Sequence, residues 1–516
     1  MTHEEYTRMV GRLEEFAGRE PKKYAMRVGL LAALGYAYVL LVLAVVAALL
    51  YMLAWLAFLG GRFNTLVLKV GWVLLMLAWV VLRALWVKMP APQGIPLARA
   101  QAPKLFELAD ELTAKLEAPR VHVLQVDGEF NASLAQVPRL GPFGWHRNYL
   151  TLGLPLMQAL TPEQFRAVLA HELGHLSGNH GRFGSWVYRV RQTWVQLLVR
   201  LEREERWGAF AFTKFVNWFA PYFNAYSFVL ARRHEYEADR ASARVAGERG
   251  AAAALAAVNV KGAYLSEEYW PEIFRRADEQ REPTVGAFAG MWPALRGGLA
   301  GEQARNLLRF SLARETGYED THPALADRLA ALGLKPEESE ALADEVAAAG
   351  GGSETAAEFY LGELRGELSR RLDEEWVESV APQWRERHEY TTKSRRRLAE
   401  LEEKARTKEW NDGEALARAE LTAEFKSAEE AVPLLRELTE RKWAAPAAHN
   451  LLGQILVAQG DESGVEHLEK AMAADGKYTP FACQIIYGYL VTHGREEEAE
   501  AYRQRLIRHV ESQNSN

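Results

Sequence analysis

The pattern of hydrophobic and polar positions divides the chain into zones. Val28 through Leu59 carries no charged residue and is rich in Leu, Ala and Val. About 20 apolar residues suffice to cross a bilayer, so this run predicts a membrane-spanning helix with length to spare. Gly60-Gly61-Arg62-Phe63-Asn64-Thr65 reads as a tight polar turn, and Leu66 to Val87 is a second apolar run, interrupted by Lys69 and Arg83. Near the ends of a span such side chains snorkel to the headgroups, so the two runs predict a transmembrane hairpin over 28–87; a helix buried in protein is the other reading of the second run. A cleaved signal peptide fits poorly, because its apolar part would be shorter.

Further along, the apolar period becomes that of amphipathic helices. Thr161-Pro162-Glu163-Gln164 has helix-start chemistry: Thr161 as N-cap, Pro162 at the first helical position and Gln164 completing a capping box before Phe165, Val168 and Leu169. Trp186 to Val195 is amphipathic with arginines on its polar side and does not read as a full span. The aromatic run that follows, from Trp207, Phe210 and Phe212 to Tyr226 and Phe228, suits either a helix at a membrane interface or cleft wall, or a buried core helix. Ala347 to Ser353 reads as a flexible boundary, and 354–430 as long charged helices. In 431–516, Leu452, Leu456 and Gly460 recur as Ile486, Leu490 and Gly494, a shift of 34 residues, which is the tetratricopeptide period. Stacked helix pairs of that kind form a concave peptide-binding surface; a helical cap on the charged region is the plainer reading.

Charge then sets orientation. Arg19, Lys22, Lys23 and Arg27 precede the first span, and Arg83, Lys88 and Arg99 end or follow the second, whereas the turn has Arg62 with Lys69 close behind. The positive-inside bias puts both termini in the cytoplasm. Among 516 residues the net charge is −6 with the signs interleaved, which disfavours nucleic-acid binding. The single cysteine, Cys483, excludes an intramolecular disulfide and, in an Ala- and Ile-rich helix, reads as a buried structural thiol.

Chemistry concentrates at His171-Glu172-Leu173-Gly174-His175. Histidines four apart share a helix face, so both imidazoles can reach one Zn²⁺ while Glu172 serves as general base toward water. A catalytic zinc wants a third protein ligand and an open position. The extended pattern with a third histidine six residues on fails by one position, because Gly181 stands there and His180 precedes it. Downstream, Glu235 and Asp239 are four apart on a helical pattern, with Glu237 pointing nearly the opposite way. Glu235 is the candidate third ligand, and Asp239 the group that accepts the second ring N–H of a ligand histidine; a solvated helix salt-bridged by arginines is the competing reading.

His-Glu-Leu-Gly-His followed by Arg-Arg-His-Glu-Tyr-Glu-Ala-Asp resembles the integral-membrane zinc metallopeptidases that include the HtpX heat-shock protease and the CAAX prenyl protease. Asn131-Ala132-Ser133-Leu134-Ala135 resembles that family's strand beside the substrate cleft, and Thr321-His322-Pro323 with Arg328 its His-Pro segment. The resemblance covers roughly residues 100–335. It implies His171, His175 and Glu235 as ligands, Glu172 as base, His322 and Arg328 as oxyanion stabilisers, and Asn131 and Ala132 as substrate-binding positions.

The expected fold is mainly α: a cytoplasmic N-terminal segment (1–27), the hairpin (28–87), a helical zincin-type metallopeptidase domain (88–340) with a small β element around 120–152, charged helices (354–430) and tetratricopeptide-like repeats (431–516). The expected activity is that of a multi-pass, membrane-anchored zinc endopeptidase, with one Zn²⁺ per chain and a cytoplasmic active site. Its substrates would be proteins or peptides, membrane proteins among them, in quality control or processing. A membrane scaffold that recruits partners through the repeat arm, with an inactive or structural metal site, is the alternative; against it stand Glu172 and a ligand set of three.

Overall fold

A computed structural model describes residues 3–59, 65–85, 90–138, 146–177, 187, 209–284, 286–299, 301–314, 316–317, 322–350, 354–407 and 411–514. The turn after the first apolar run, all of the amphipathic Trp186–Val195 segment except Val187, Trp207, and the end of the Ala347–Ser353 boundary lie outside the described residues. The chain forms two compact units: residues 1–274 with 284–379, and residues 275–283 with 380–516. The fold is mainly α with one small sheet, as the patterning predicts.

In the first unit, helix α1 (His3–Arg19) leads into α2 (Pro21–Leu59), a 39-residue helix. Val10, Leu13 and Ala17 fall at i, i+3 and i+7, so they line one face of α1. With Tyr24, Val28 and Ala32 of α2 they bury against Phe219, Phe223, Phe228 and Val229 of a later helix. Beyond that core α2 exposes Leu40, Leu41, Val45, Met52, Trp55 and Leu56. So large an apolar face is costly in water and suits a lipid environment. Among the described residues Pro21–Phe58 is the one helix long and apolar enough, by length and composition, to cross a membrane. Helix α3 (Thr65–Leu85) packs along α2 but contributes only the shorter apolar stretch Val67–Met76, so the two-span expectation is supported for its first arm alone.

Strands β1 (Ile95–Pro96), β2 (Val123–Asp127), β3 (Ala132–Pro138) and β4 (His146–Gly153) form a sheet of order β1-β2-β4-β3. β2 and β4 are parallel, with Val123 opposite Tyr149; β3 and β4 are antiparallel, with Ala132 opposite Leu152, which leaves β3 at the edge. Helix α4 (Pro103–Lys115) lies between β1 and β2 in sequence, and α5 (Leu154–Ala159) follows β4 directly.

Helix α6 (Pro162–Gly174) starts as its sequence predicts: the Thr161 side chain accepts from the Gln164 N–H, and the Gln164 side chain from the Thr161 N–H. It packs on the edge strand β3 and along α7 (Ala209–Tyr264), whose path breaks at Gly247, where φ is 78°. Short helices α8 (Trp270–Arg275), α9 (Ala287–Gly298), α10 (Gly301–Ala313), α11 (Leu325–Ala331), α12 (Pro336–Gly350) and α13 (Ala356–Leu361) follow. Of these α11 matters most to the site, because it packs on α7.

The division between units falls within α14 (Leu364–Thr407). The second unit adds α15 (Asp412–Phe425), α16 (Ala428–Thr439), α17 (Ala445–Ala458), α18 (Ser463–Ala474), α19 (Thr479–Thr492) and α20 (Glu496–Asn514). α17 packs on α18 and α19 on α20. The positions 34 apart are structurally alike: Leu452, Leu456, Ile486 and Leu490 are buried, and Gly460 and Gly494 follow their helices with φ of 79° and 71°. Cys483 is buried beside Met472, and burial pushes its thiol up, which suits an inert side chain.

Candidate active site

Two helices and the chain around α11 converge on one point. His171 and His175 stand one turn apart at the end of α6; Glu235 and Asp239 stand one turn apart on α7. The helices can approach because the residue between the histidines' turns is Gly174. A Cβ there would sit 2.8 Å from the Ala241 Cβ and 3.1 Å from the Ala238 Cα. Below the site, the Ser242 hydroxyl donates to the Ala167 carbonyl at 2.8 Å, tying the same two helices.

The donor atoms form a compact triangle. His171 Nε2 and His175 Nε2 are 3.2 Å apart, and they lie 3.6 Å and 3.5 Å from the two Glu235 oxygens. A tetrahedral zinc with bonds of ~2.05 Å separates its ligands by about 3.3 Å, so the triangle has the right size. Glu235 Oε2 is buried without a hydrogen-bond partner among the described residues, an acceptor that a cation would satisfy. Two imidazoles and a carboxylate are also the donor types zinc prefers, and three of them leave a fourth position open.

Behind the triangle, Asp239 lies 3.0 Å from His171 Nδ1, and Arg328 of α11 grips Asp239 with Nε at 2.9 Å and Nη2 at 2.6 Å. The same Nη2 is 3.5 Å from His171 Nδ1 and 3.9 Å from Glu235. His322, largely exposed, reaches in with Nε2 3.8 Å from Glu235 Oε1.

The charges follow from this packing. Burial works against ionising Asp239, yet Arg328 and His171 hold its carboxyl down at about 2. Glu235 is likewise held at about 2, the histidines outweighing burial. Burial also opposes a charge on His171, but Asp239 and Glu235 more than offset it and lift the ring to about 9. His175, buried and facing a charged His171, is pushed down to about 3. The two carboxylates thus call for one positive charge between the rings, which a proton or a metal cation can supply. Burial, reinforced by Glu235, raises Glu172 to about 7 against the pull of His171 and Arg328, a poise that suits proton transfer near neutral pH.

Asn131 and Ala132 lie at the start of β3, the strand that packs on α6. The Asn131 carbonyl accepts from the Gly153 N–H at 2.8 Å and its side-chain oxygen from the Ala132 N–H at 2.8 Å, so this carboxamide oxygen is turned onto its own backbone. A cleft of about 810 Å³ opens beside His175, bordered by Ser177, His234, Arg240 and Arg244.

Sequence reasoning grouped His171, His175, Glu235 and Asp239, and the structure brings these together. It missed Gly174 as the contact between helices, whose signal was a glycine inside an otherwise good helix, and it missed the grip of Arg328 on Asp239.

Comparison with known proteins agrees with this geometry. Residues 103–334 match peptidase family M48. That range contains the whole site, and it bears out for this segment the resemblance to the HtpX and CAAX protease group. "Protease HtpX" of Chromohalobacter salexigens is 26% identical over 207 residues, 37% of this chain; the chain spans 59% of that relative's length. What these matches show is similarity to peptidases over the segment that carries the site.

Proposed function

We propose that this protein is a membrane-anchored zinc metalloendopeptidase, with His171, His175 and Glu235 as ligands and Glu172 as general base. The observation that carries the reading is the donor triangle, sized for tetrahedral zinc, with a base of raised pKa on the adjacent residue. When bound, zinc would polarise the scissile carbonyl and acidify the attacking water. Glu172 takes the proton from that water and delivers it to the leaving amine. Asp239 holds the His171 ring in its ligand tautomer, and Arg328 holds Asp239. His322, exposed at the rim, is placed to donate to the developing oxyanion, whereas Arg328 acts chiefly through Asp239 because two of its donors are committed there. Strand β3, at the edge of the sheet among the described residues, lies beside α6, and an extended substrate can lie along it, starting at Asn131 and Ala132.

The apolar face of α2 supports a membrane location, and the basic residues around it a cytoplasmic active site. Quality control or processing of membrane proteins is the role that the resemblance to the HtpX and CAAX protease group implies. The paired helices of 445–514 accord with a tetratricopeptide-like arm that recruits a protein partner.

The test uses detergent-purified full-length protein, comparing zinc content and casein cleavage of wild type, Glu172→Gln and Glu235→Ala. Wild type should hold about one zinc and cleave, Glu172→Gln should hold zinc while losing about 10²–10⁴-fold in rate, and Glu235→Ala should lose the metal. Zinc without Glu172-dependent cleavage would favour the scaffold, and a wild type without zinc would sink the ligand assignment.

A further inference from the structure

Helices α2 and α7 run side by side in opposite directions. The Tyr24 ring stacks on Tyr226, Val28 and Ala32 bury against Phe219 and Phe223, and Tyr38 stacks on Phe215 with ring centroids 3.8 Å apart. As α2 advances into its charge-free run, α7 counts backwards, so beyond Tyr226 it leaves the level of that run. At the level of Val28 and Ala32, Trp218 and Tyr222 of α7 are 55% and 43% exposed, and α2 exposes Leu30 and Leu34. Exposed Trp and Tyr beside exposed leucines are what a membrane–water boundary collects. Lys214, exposed further up α7, keeps that boundary from lying any nearer the site, because an ammonium is costly inside the bilayer. From Tyr222 to Glu235 the chain is helical throughout, and the first break comes later, at Gly247. At ~1.5 Å per residue, Glu235 stands about 20 Å from Tyr222 along the helix. The partner helices give the same length. Arg232 and Arg233 donate to Glu14 and to the Ala17 carbonyl of α1. α1 runs on into α2 through helical bonds from Glu20 N–H to the Phe16 carbonyl and from Tyr24 N–H to the Glu20 carbonyl, each 2.9 Å. Glu14 to Val28, where the charge-free run begins, again spans about 20 Å.

We propose that α7 acts as a spacer that holds the catalytic site about 20 Å or more from the bilayer surface, and so selects membrane-linked substrates by length. The bond that is cut must be separated from the substrate's own membrane segment by at least about six residues of flexible chain, because an extended chain advances ~3.3 Å per residue. Bonds nearer the bilayer are spared whatever their side chains. A flexible linker reaches on average about 5–6 Å × √n, which matches 20 Å at roughly 13 residues, so cleavage peaks near that length. This selection rests on the membrane-anchored peptidase reading; the height of the site along α7 does not depend on catalysis.

The experiment places full-length wild type in vesicles of phosphatidylcholine and phosphatidylglycerol. The substrates share a Leu/Ala membrane span and a casein segment that the enzyme cuts in solution, joined by Gly/Ser linkers of about 2 to about 20 residues. The same casein segment without a span controls for catalysis, and flotation with the vesicles controls for anchoring. Separately, energy transfer from a dye on Arg240→Cys to labelled lipid reads the height of the site; Arg240 is exposed and Cys483 is buried. Linkers of about four residues or fewer should be cut at least ~100-fold more slowly than those of about 13, with the free segment cut alike with and without vesicles. The dye should stand about 27 Å or more from the lipid. Equal rates on the shortest and the middle linkers would overturn the proposal, and so would a dye within about 10 Å of the bilayer. A protein that does not float with the vesicles would fail the anchoring reading and the proposal with it. If the free segment is left uncut, the peptidase reading fails and takes the substrate rule with it, while energy transfer still decides whether α7 spaces the site from the membrane.

Discussion

Asp239 serves two partners at once, accepting from Arg328 on one side and facing His171 Nδ1 on the other. Asp239→Asn keeps the shape but turns an amide N–H₂ toward one of these donors and leaves Arg328 short of a counter-charge in a buried place. Zinc affinity should fall about 10–100-fold, measured by competition with a chromophoric chelator, and the fold should persist. Unchanged affinity would mean that the His171 ring is held by something other than Asp239. Half of this arrangement was legible in the sequence, since Glu235 and Asp239 share a helix face by spacing alone. The other half was not, because Arg328 is 89 residues away and only tertiary packing joins it to Asp239. Lys261 gives a second test at this scale. Its ammonium is buried, donates to the Ala159 carbonyl at 2.6 Å, and is drawn down to about 8 by burial. The unfolded chain, with a lysine pKa of about 10.4, therefore binds more protons than the folded one above pH 8, and stability rises with pH across that window. Relative to Lys261→Met, wild type should gain up to about 3 kcal/mol between pH 8 and 10.5 and nothing below pH 7, read from melting curves of both proteins. A difference that stays flat across pH 8 to 10 would show that the buried Lys261 ammonium keeps the pKa of the unfolded chain, so that burial does not draw it down.

At the scale of elements, the site depends on how closely α6 and α7 run. The capping box at Thr161 and the apolar positions after it are local chemistry, so the start of α6 could be read from its own residues. Gly174 could not be read in the same way, because its reason lies on the other helix. Gly174→Ala adds helix propensity, yet its methyl meets Ala241 and Ala238 of α7 and must push the helices apart by tenths of an ångström. Ligand geometry tolerates only about 0.2 Å, so zinc affinity should drop by more than stability does, with stability falling about 1–3 kcal/mol. Ala241→Gly in the same chain removes one of the two obstacles and should recover part of the lost affinity. If Gly174→Ala binds zinc as wild type does, the close approach is slack and the glycine has no part in the site.

At the scale of the whole first unit, the long apolar helix α2 and the helix that carries Glu235 share a core. The pattern of residues 1–27 drew attention through its charges, which conceal Val10, Leu13 and Ala17 at helical spacing; their partners are Phe219, Phe223 and Phe228, some two hundred residues on. An apolar stripe can be found in a sequence, but what covers it cannot. Tyr24 completes the joint, buried between Phe16 and Tyr226 with its hydroxyl donating to the Tyr226 carbonyl at 2.6 Å. Removing residues 1–89 would thus do more than release the protein from a membrane. It would strip Val10, Leu13, Tyr24 and Val28 from α7, at about 1.5–3 kcal/mol for each large side chain, and leave three phenylalanines facing water seven to sixteen residues before Glu235. A chain beginning at residue 90 should then aggregate or elute as a mixture of sizes, melt well below the full-length protein in the same detergent, and hold less than one zinc per chain. Substitutions confined to the lipid-facing side, such as Leu40→Ala with Leu41→Ala, should leave melting and zinc content where they were, because those residues are exposed. A monodisperse 90–516 protein with full zinc and an unchanged melting temperature would show that the anchor is a mere tether; loss of zinc in the truncated chain alone would show that the segment before the membrane is part of the enzyme.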